Sequence, residues 1–147
     1  MKIAIGADHG GYELKTRLLE HLRAQGHTVL DQGTSSREAV DYPVYAHAVA
    51  AAVASGQAER GVMIDGAGIG SCMVANKVRG VRAALCWNTA MAATTRQHND
   101  SNVICFSADH TPVADAEAML RAWLEASFEG GRHARRVEKI VAIENAE

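Results

Sequence analysis

Short apolar runs alternate along the chain with segments whose apolar residues recur at helical spacing. Five runs have the length of β-strands, at residues 2–6, 28–30, 61–64, 81–85 and 102–106. They are apolar at nearly every position, which is typical of strands buried on both faces of a parallel sheet. Since strands and helices alternate throughout, the pattern predicts an α/β fold with a five-stranded parallel sheet, helices on both faces and a C-terminal helix.

The sequence also marks where the helices begin and end. Gly26 stops the first helix, and Pro43 lies in the first turn of the second. The fourth helix is expected from about Thr89 to Arg96, which leaves residues 97–100 as a polar loop. The second helix is expected to bury one apolar face, made of Val44, Ala48, Ala52 and Val53.

The composition is that of an ordinary globular protein. The 147 residues are 48% hydrophobic and 22% charged, without a linker-like segment, so residues 1–147 are expected to form one domain. The net charge of -2 gives no reason to expect a nucleic acid or an anionic membrane as partner. Three cysteines, with no CxxC motif and no export signal, predict reduced thiols and a cytoplasmic location.

The segment after the third strand is the most informative for chemistry. Asp65 ends this buried strand, and Gly66-Ala67-Gly68-Ile69-Gly70-Ser71 leads into a helix. Backbone N–H groups of such a loop point to one place, where the helix dipole favours an anion. The spacing Gly-x-Gly-x-Gly matches neither a P-loop nor the dinucleotide fingerprint. A tight turn that binds no ligand is the alternative interpretation.

Asp65 itself has two interpretations. As a capping residue, its carboxylate would accept N–H groups of the following helix. As a general base, it would remove a proton from the carbon beside a carbonyl, and the loop amides would stabilise the resulting enediolate. Cys72 is a second candidate for the base, because a thiol near the start of a helix has a lowered pKa.

Three further sets of polar residues are candidates for a binding or catalytic site. Asp8-His9 ends the first strand, which is expected beside the third. His98-Asn99 precedes the fifth strand, at the opposite edge, where it would serve a site in a neighbouring subunit. Arg132 and Arg136 form a phosphate clamp if a helix begins there, although a solvated basic face is the alternative. No metal site is predicted, because no histidine and carboxylate have ligand spacing.

Together these segments resemble the family of ribose-5-phosphate isomerase B and galactose-6-phosphate isomerase. The resemblance implies a Rossmann-like three-layer fold, and a homodimer or tetramer with sites shared between subunits. It also implies aldose–ketose isomerisation of a sugar phosphate through an enediolate, without cofactor or metal. The motifs that carry it run in order from residue 3 to about 143 and include Gly6-Ala7-Asp8-His9-Gly10-Gly11, Asp41-Tyr42-Pro43, Gly66-x-Gly-Ile-Gly, Ala75-Asn76-Lys77, Arg96-Gln97-His98-Asn99-Asp100 and Glu129-Gly130-Gly131-Arg132-His133.

The resemblance implies roles for individual residues. His9, Arg132 and Arg136 resemble the family's phosphate contacts, and residues 66–71 its anion hole. His98 resembles the acid–base that opens the sugar ring across the subunit interface. The catalytic residues implied are thus Asp65 and His98, and the substrate-binding residues are Asp8, His9, Tyr42, Gly66, Ala67, Gly68, Gly70, Ser71, Asn99, Arg132 and Arg136, with Asp8 and Asn99 toward substrate hydroxyl groups.

Two positions depart from the family pattern. Asp65 stands where many members have a cysteine as base, and we expect Asp65 to replace it, since a carboxylate removes a similar proton in triosephosphate isomerase. Ala67 stands where many members have a threonine associated with ring opening, which favours a tetrose phosphate, a sugar that cannot close a furanose ring. A phosphosugar-binding module without activity is the second hypothesis, and a nucleotide-binding module is the third.

Overall fold

A five-stranded, all-parallel sheet organises the chain, which confirms the predicted fold class. The structure, a computed structural model, describes residues 1–146, and Glu147, the last residue of the predicted domain, lies outside the described part. The strands lie in the order β2-β1-β3-β5-β4. Their bounds are β1 (Lys2–Ala7), β2 (Thr28–Asp31), β3 (Arg60–Asp65), β4 (Ala83–Leu85) and β5 (Val103–Ser107).

The described residues form six α-helices and one 3-10 turn around this sheet. Within residues 1–146, every helix is too short or too polar to cross a lipid bilayer. The helices are α1 (Tyr12–Ala24), α2 (Tyr42–Ala54), α3 (Ile69–Ala75), α4 (Thr89–Asn99), α5 (Val113–Glu125) and α6 (Arg132–Asn145), and the 3-10 turn spans His9–Gly11.

Alternate strand residues contribute to two separate hydrophobic cores. Ile5 faces one side of the sheet, where it packs with Leu18 of α1 and Trp123 of α5. Ala4 faces the other side, where Val49 of α2 joins the second core. Burying one large apolar side chain contributes about 1.5–3 kcal/mol, so each core fixes its own layer of helices. The result is the three-layer sandwich that the sequence predicts.

The predicted buried face of α2 is confirmed only in part, because Ala52 is buried, Ala48 and Val53 are half-buried, and Val44 is exposed. Val44, expected in that face, is 64% exposed, whereas Ala46, Val49 and Ala50 are fully buried. The physical reason is that α2 carries apolar residues on almost every side, so its sequence contains no dominant stripe. Contact with the sheet, rather than periodicity, decides which side is buried.

The start of β4 and the end of α4 also differ from the prediction. The N–H of Arg82 donates to the Asn102 side chain at 2.8 Å, and β4 therefore begins only at Ala83. The helix α4 continues until Asp100 adopts the left-handed conformation at φ 49°. His98-Asn99 therefore lies in the last helical turn and not in a loop.

The order of the strands reverses between β1 and β3. The strand β2 lies on one side of β1, and β3, β5 and β4 follow on the other. Ligands of such sheets bind at this point, outside the carboxyl ends of the strands. Ala7 of β1 pairs with Ile64 of β3, so the next residues of the two strands, Asp8 and Asp65, are neighbours there.

Gly11, directly before α1, is required by close contact with β3. A β-carbon at Gly11 would lie 2.5 Å from the carbonyl oxygen of Ile64, which belongs to the backbone and cannot rotate away. We expect Gly11→Ala to lower the free energy of unfolding by about 1–3 kcal/mol, the usual cost of overpacking. Gly10→Ala is the matched control, because its β-carbon would meet nothing closer than 3.4 Å. Urea unfolding that gives equal losses for both variants would contradict this prediction.

Candidate active site

The Asp65 carboxylate lies at the carboxyl end of β3, and Asp65 is 5% exposed. One of its oxygens accepts the N–H of Gly68, and the other accepts the N–H of Ser71 at 3.3 Å. Gly68 has a φ of 78°, a left-handed conformation that glycine adopts without strain. Asp65 therefore caps the helix α3, and its orientation is fixed. Each carboxylate oxygen keeps a second lone pair, so capping is compatible with proton transfer.

The glycine-rich loop keeps free donors in spite of this capping. The N–H groups of Ala67, Ile69 and Gly70 have no acceptor among residues 1–146, because the first amides of a helix lack intrahelical partners. Tyr42, at the start of α2, packs its ring directly on Gly70, where a β-carbon would overlap it. The free N–H groups of the loop therefore lie beside the aromatic ring of Tyr42.

Asp8 lies beside Asp65 at the end of β1. It is 9% exposed, and its carboxylate accepts the N–H of Gly11 at 3.0 Å. Burial raises the pKa of the Asp8 carboxyl, and the charge of Asp65 acts in the same direction, while the Gly11 N–H opposes both. Two carboxyl groups with different hydrogen-bonding environments thus meet at one end of the sheet.

The raised pKa of Asp8 predicts a pH-dependent stability. The contribution of Asp8 is complete below the ordinary pKa of an aspartate, about 3.9, and is lost as the pH rises through the higher pKa of the folded state. Asn at position 8 keeps an oxygen for the Gly11 N–H but has no charge to bury. We expect Asp8→Asn to match the wild type in stability at low pH and to exceed it increasingly toward pH 7, as measured by urea unfolding. A constant difference across this range would be the opposite result.

His9 follows Asp8 and lies exposed in the 3-10 turn. Its Nδ1 accepts the N–H of Val40 at 3.1 Å, so the neutral ring carries its proton on Nε2. The Nε2–H of the ring has no acceptor among residues 1–146 and is available to a ligand. A donor in this position suits a phosphate oxygen.

The end of β5 closes the site on the other side of β3. The Ser107 hydroxyl donates to the carbonyl oxygen of Gly66 at 2.7 Å, and the N–H of Asp109 donates to the same oxygen at 3.0 Å. A β-carbon at Gly66 would lie 3.2 Å from the Asp109 carboxylate. These contacts fix the start of the glycine-rich loop.

A second group of predicted residues lies at the other edge of the sheet. His98-Asn99 ends α4, and Arg132 and Arg136 occupy the first turns of α6. Since α6 begins at Arg132, the two exposed guanidinium groups lie on one face of a helix. The length of β5, from Val103 to Ser107, separates this edge from Asp65 by about 13 Å, at roughly 3.3 Å per residue.

The predicted site residues therefore form two groups within one chain. The structure brings together Asp8, His9, Tyr42, Asp65, Gly66, Ala67, Gly68, Gly70 and Ser71 at the carboxyl edge, and His98, Asn99, Arg132 and Arg136 near the amino edge. It does not bring the two groups together.

Two residues beside His98 belong to a motif of the sequence analysis but were given no role there. The Glu129 carboxylate lies 3.7 Å from Nε2 of His98 and 3.6 Å from Nε2 of His133. The two rings stack at 4.0 Å between centroids, with 9° between their planes. Burial lowers the pKa of His133, with His98 and Arg132 adding to the effect and Glu129 opposing it. The spacing of Glu129 and His133, four residues apart, was the signal that could have found them.

The same three residues bear on metal binding. Ligand atoms of His98, Glu129 and His133 all lie within 4.8 Å of one another, so the prediction that no histidine and carboxylate have ligand spacing is wrong. The lone pairs of two stacked rings lie in parallel planes, however, and do not converge on one ion, as a tetrahedral zinc site requires.

Comparisons with known proteins identify the family. The family model described as Ribose/Galactose Isomerase matches residues 3–140. The chain belongs to the ribose/galactose isomerase family. As a member of this family, it is an isomerase.

Similar members of the ribose/galactose isomerase family cover nearly the whole chain. Ribose-5-phosphate isomerase B of Escherichia coli (strain K12) is 47% identical over 143 residues, which are 97% of this chain and 96% of that protein. D-erythrulose-4-phosphate isomerase of Pectobacterium atrosepticum is 40% identical over 148 residues, or 100% and 97%. The structure of ribose-5-phosphate isomerase B from Clostridium thermocellum gives a TM-score of 0.98 at 46% identity, with 99% of each chain covered.

One cysteine of this ribose/galactose isomerase family member is expected to react much faster than the others. A hydrogen bond with the Cys105 thiol lowers the pKa of Cys72 to about 7, while burial opposes the effect. Burial raises the pKa of Cys86 to about 12, and the interaction with Cys72, together with burial, raises the pKa of Cys105. Since the thiolate is the reactive form, iodoacetamide at pH 7.5 should label Cys72 first, as mapped by mass spectrometry. Cys105→Ala should slow that labelling, and earlier labelling of Cys86 would contradict the prediction.

Proposed function

We propose that this chain is a cytoplasmic aldose–ketose isomerase that moves a proton between adjacent carbons of a sugar phosphate through an enediolate. The observation that carries the proposal is the position of Asp65, a buried carboxylate of fixed orientation beside the free amides of Ala67, Ile69 and Gly70. A base next to preorganised N–H donors suits a reaction that develops negative charge on oxygen. The names of the similar family members support the same reaction class.

The proposed mechanism begins with the phosphate. Arg132 and Arg136 bind it from one helix face, and His9 donates from Nε2. Asp65 then transfers the proton between C2 and C1, and the loop amides stabilise the enediolate. His98 opens the ring when the substrate is cyclic.

A complete site under this proposal needs two subunits. The two residue groups lie at opposite edges of the sheet, so the carboxyl-edge group of one chain would meet the amino-edge group of its partner in a homodimer or tetramer. Exposed apolar side chains support such an association, since Ile69 is 49% exposed, Met73 64% and Ile143 68%.

The proposed preferred substrate is a tetrose 4-phosphate. Ala67 offers no hydroxyl group at the position associated with ring opening, and a tetrose 4-phosphate has no furanose ring to open. The relative from Pectobacterium atrosepticum is named for a tetrose phosphate. Equal or faster turnover of ribose 5-phosphate would contradict this choice of substrate.

Proton NMR in D₂O tests the proposed reaction. The purified protein is mixed separately with ribose, allose, galactose and erythrose phosphates, and Asp65→Asn serves as the control variant. Deuterium that enters C2 or C1 of one sugar with the wild type, and not with the variant, is the expected result. Line broadening of a sugar phosphate without any exchange would instead favour a binding module that has lost the reaction.

A further inference from the structure

We propose that Asp8 is the proton donor that works with Asp65, so that two neighbouring carboxyl groups act as acid and base on the same substrate. This inference rests on the proposed role of Asp65 and gives Asp8 more than a hydroxyl contact. It concerns the second proton of the reaction, the one that moves between the two substrate oxygens.

Strand register places the two carboxyl groups side by side. Ala7 pairs with Ile64, and the backbone N–H of Asp8 donates to the Ile64 carbonyl at 3.2 Å, so Asp8 and Asp65 continue the pairing. Neighbouring strands lie about 4.8 Å apart, and paired residues of parallel strands project to the same face. Gly10 lies between the two strand ends, because a β-carbon there would lie 3.4 Å from Asp8 Oδ1 and 3.6 Å from the nitrogen of Gly66.

Hydrogen bonding distinguishes the carboxyl group of Asp8 from that of Asp65. The Asp65 carboxylate accepts two backbone N–H groups, whereas that of Asp8 accepts one. The charged groups that act on Asp8 are Asp65 on β3 and His9 on its own turn. The Asp109 carboxylate, after β5, lies against Gly66. Burial and the Asp65 charge raise the pKa of Asp8. Paired titratable groups with such unequal surroundings take the roles of acid and base.

The proposed steps balance without any further reactant. Asp65 takes the proton from the carbon beside the carbonyl, and the C–H electron pair becomes the C=C bond of the enediol. The carbonyl π pair moves to its oxygen, which takes the proton of Asp8. Asp8, now ionised, accepts the proton of the neighbouring hydroxyl, whose oxygen becomes the new carbonyl. The C=C pair takes the proton of Asp65 at the other carbon, which returns both groups to their starting states.

Asp8→Asn separates a proton donor from a hydroxyl contact. The Asn amide still hydrogen-bonds a substrate hydroxyl group but donates no proton to an enediolate. With the preferred sugar phosphate, we expect kcat of isomerisation to fall about 100-fold or more, while KM changes by less than about threefold. Solvent deuterium exchange at the carbon that Asp65 deprotonates should fall much less, so the ratio of exchange to isomerisation rises. Equal losses of exchange and isomerisation, or a rise in KM alone, would overturn the proposal.

A titration without substrate tests the pair independently of activity. Carbon-13 NMR of labelled aspartate Cγ should show Asp8 titrating above the ordinary pKa of aspartate in the wild type, and at lower pH in Asp65→Asn. Asp115→Asn, in the first turn of α5, is the control and should leave the Asp8 titration unchanged. If Asp8 of the wild type titrates at the ordinary pKa of an aspartate, the proposed interaction between Asp8 and Asp65 is wrong. Absence of any turnover by the wild type would overturn the proposed function and, with it, the catalytic role of Asp8. In that case the titration would still decide whether Asp8 holds a proton.

Discussion

Asp65→Asn is expected to reduce turnover of the preferred sugar phosphate by about 100- to 10,000-fold, the usual contribution of a general base. Asn has nearly the same shape but cannot take the proton from carbon. The phosphate is held by Arg132, Arg136 and His9 in the proposed site, so KM should change little. Steady-state kinetics of isomerisation measures both constants.

Two further variants make this result specific to the base. The asparagine oxygen accepts one of the two backbone N–H groups, but its NH2 group faces the other and cannot accept it. Thermal unfolding must therefore show that α3 remains folded. Asp65→Cys supplies the base that the family resemblance implies at this position, and should restore part of the activity. Cys72→Ser is the matched control and should stay near the wild-type rate. Wild-type turnover by Asp65→Asn would place the base elsewhere, with Cys72 as the next candidate.

Mixing two inactive variants is expected to restore activity. One variant carries Asp65→Asn, and the other carries Arg132→Gln together with Arg136→Gln. In a mixed dimer, one site combines the intact Asp65 of the second chain with the intact arginines of the first. Random exchange of equal amounts makes about half of the dimers mixed, each with one of two sites intact, so activity should recover to about a quarter of the wild type.

The reason for this expectation is the distance within one chain. Asp65 and the clamp of Arg132 and Arg136 lie at opposite edges of the sheet, too far apart to hold one small sugar phosphate. Each variant refolded alone is the control and should remain inactive. Activity that fails to recover after demonstrated subunit exchange would mean that each chain builds its own site.

The sequence predicted most of the fold because the strands are buried on both faces. Their apolar runs stand out from the helical segments, and alternation with helices allows few other arrangements. The face of α2 was beyond this reasoning, since Val44 looks as suited to a core as Val49 does. The end of α4 could not be predicted either, because the left-handed conformation of Asp100 does not change the pattern of hydrophobic residues.

The candidate site was predicted in part for similar reasons. The positions of Asp8 and Asp65 follow from strand ends, and their neighbourhood follows from the doubly wound order. The two interpretations of Asp65 stayed open, because only the geometry of the turn at Gly68 shows which amides reach the carboxylate. Glu129 and His133 were named without a role, since their contact with His98 depends on how α6 docks on α4.

The separation of the two residue groups has a consequence for enzyme kinetics in dilute solution. If each chain holds half of two different sites, an isolated chain is inert rather than slow. The rate per chain then follows the association equilibrium and falls on dilution, while KM stays constant because every assembled site is the same. The concentration of the protein would therefore determine which fraction of its chains is assembled and active.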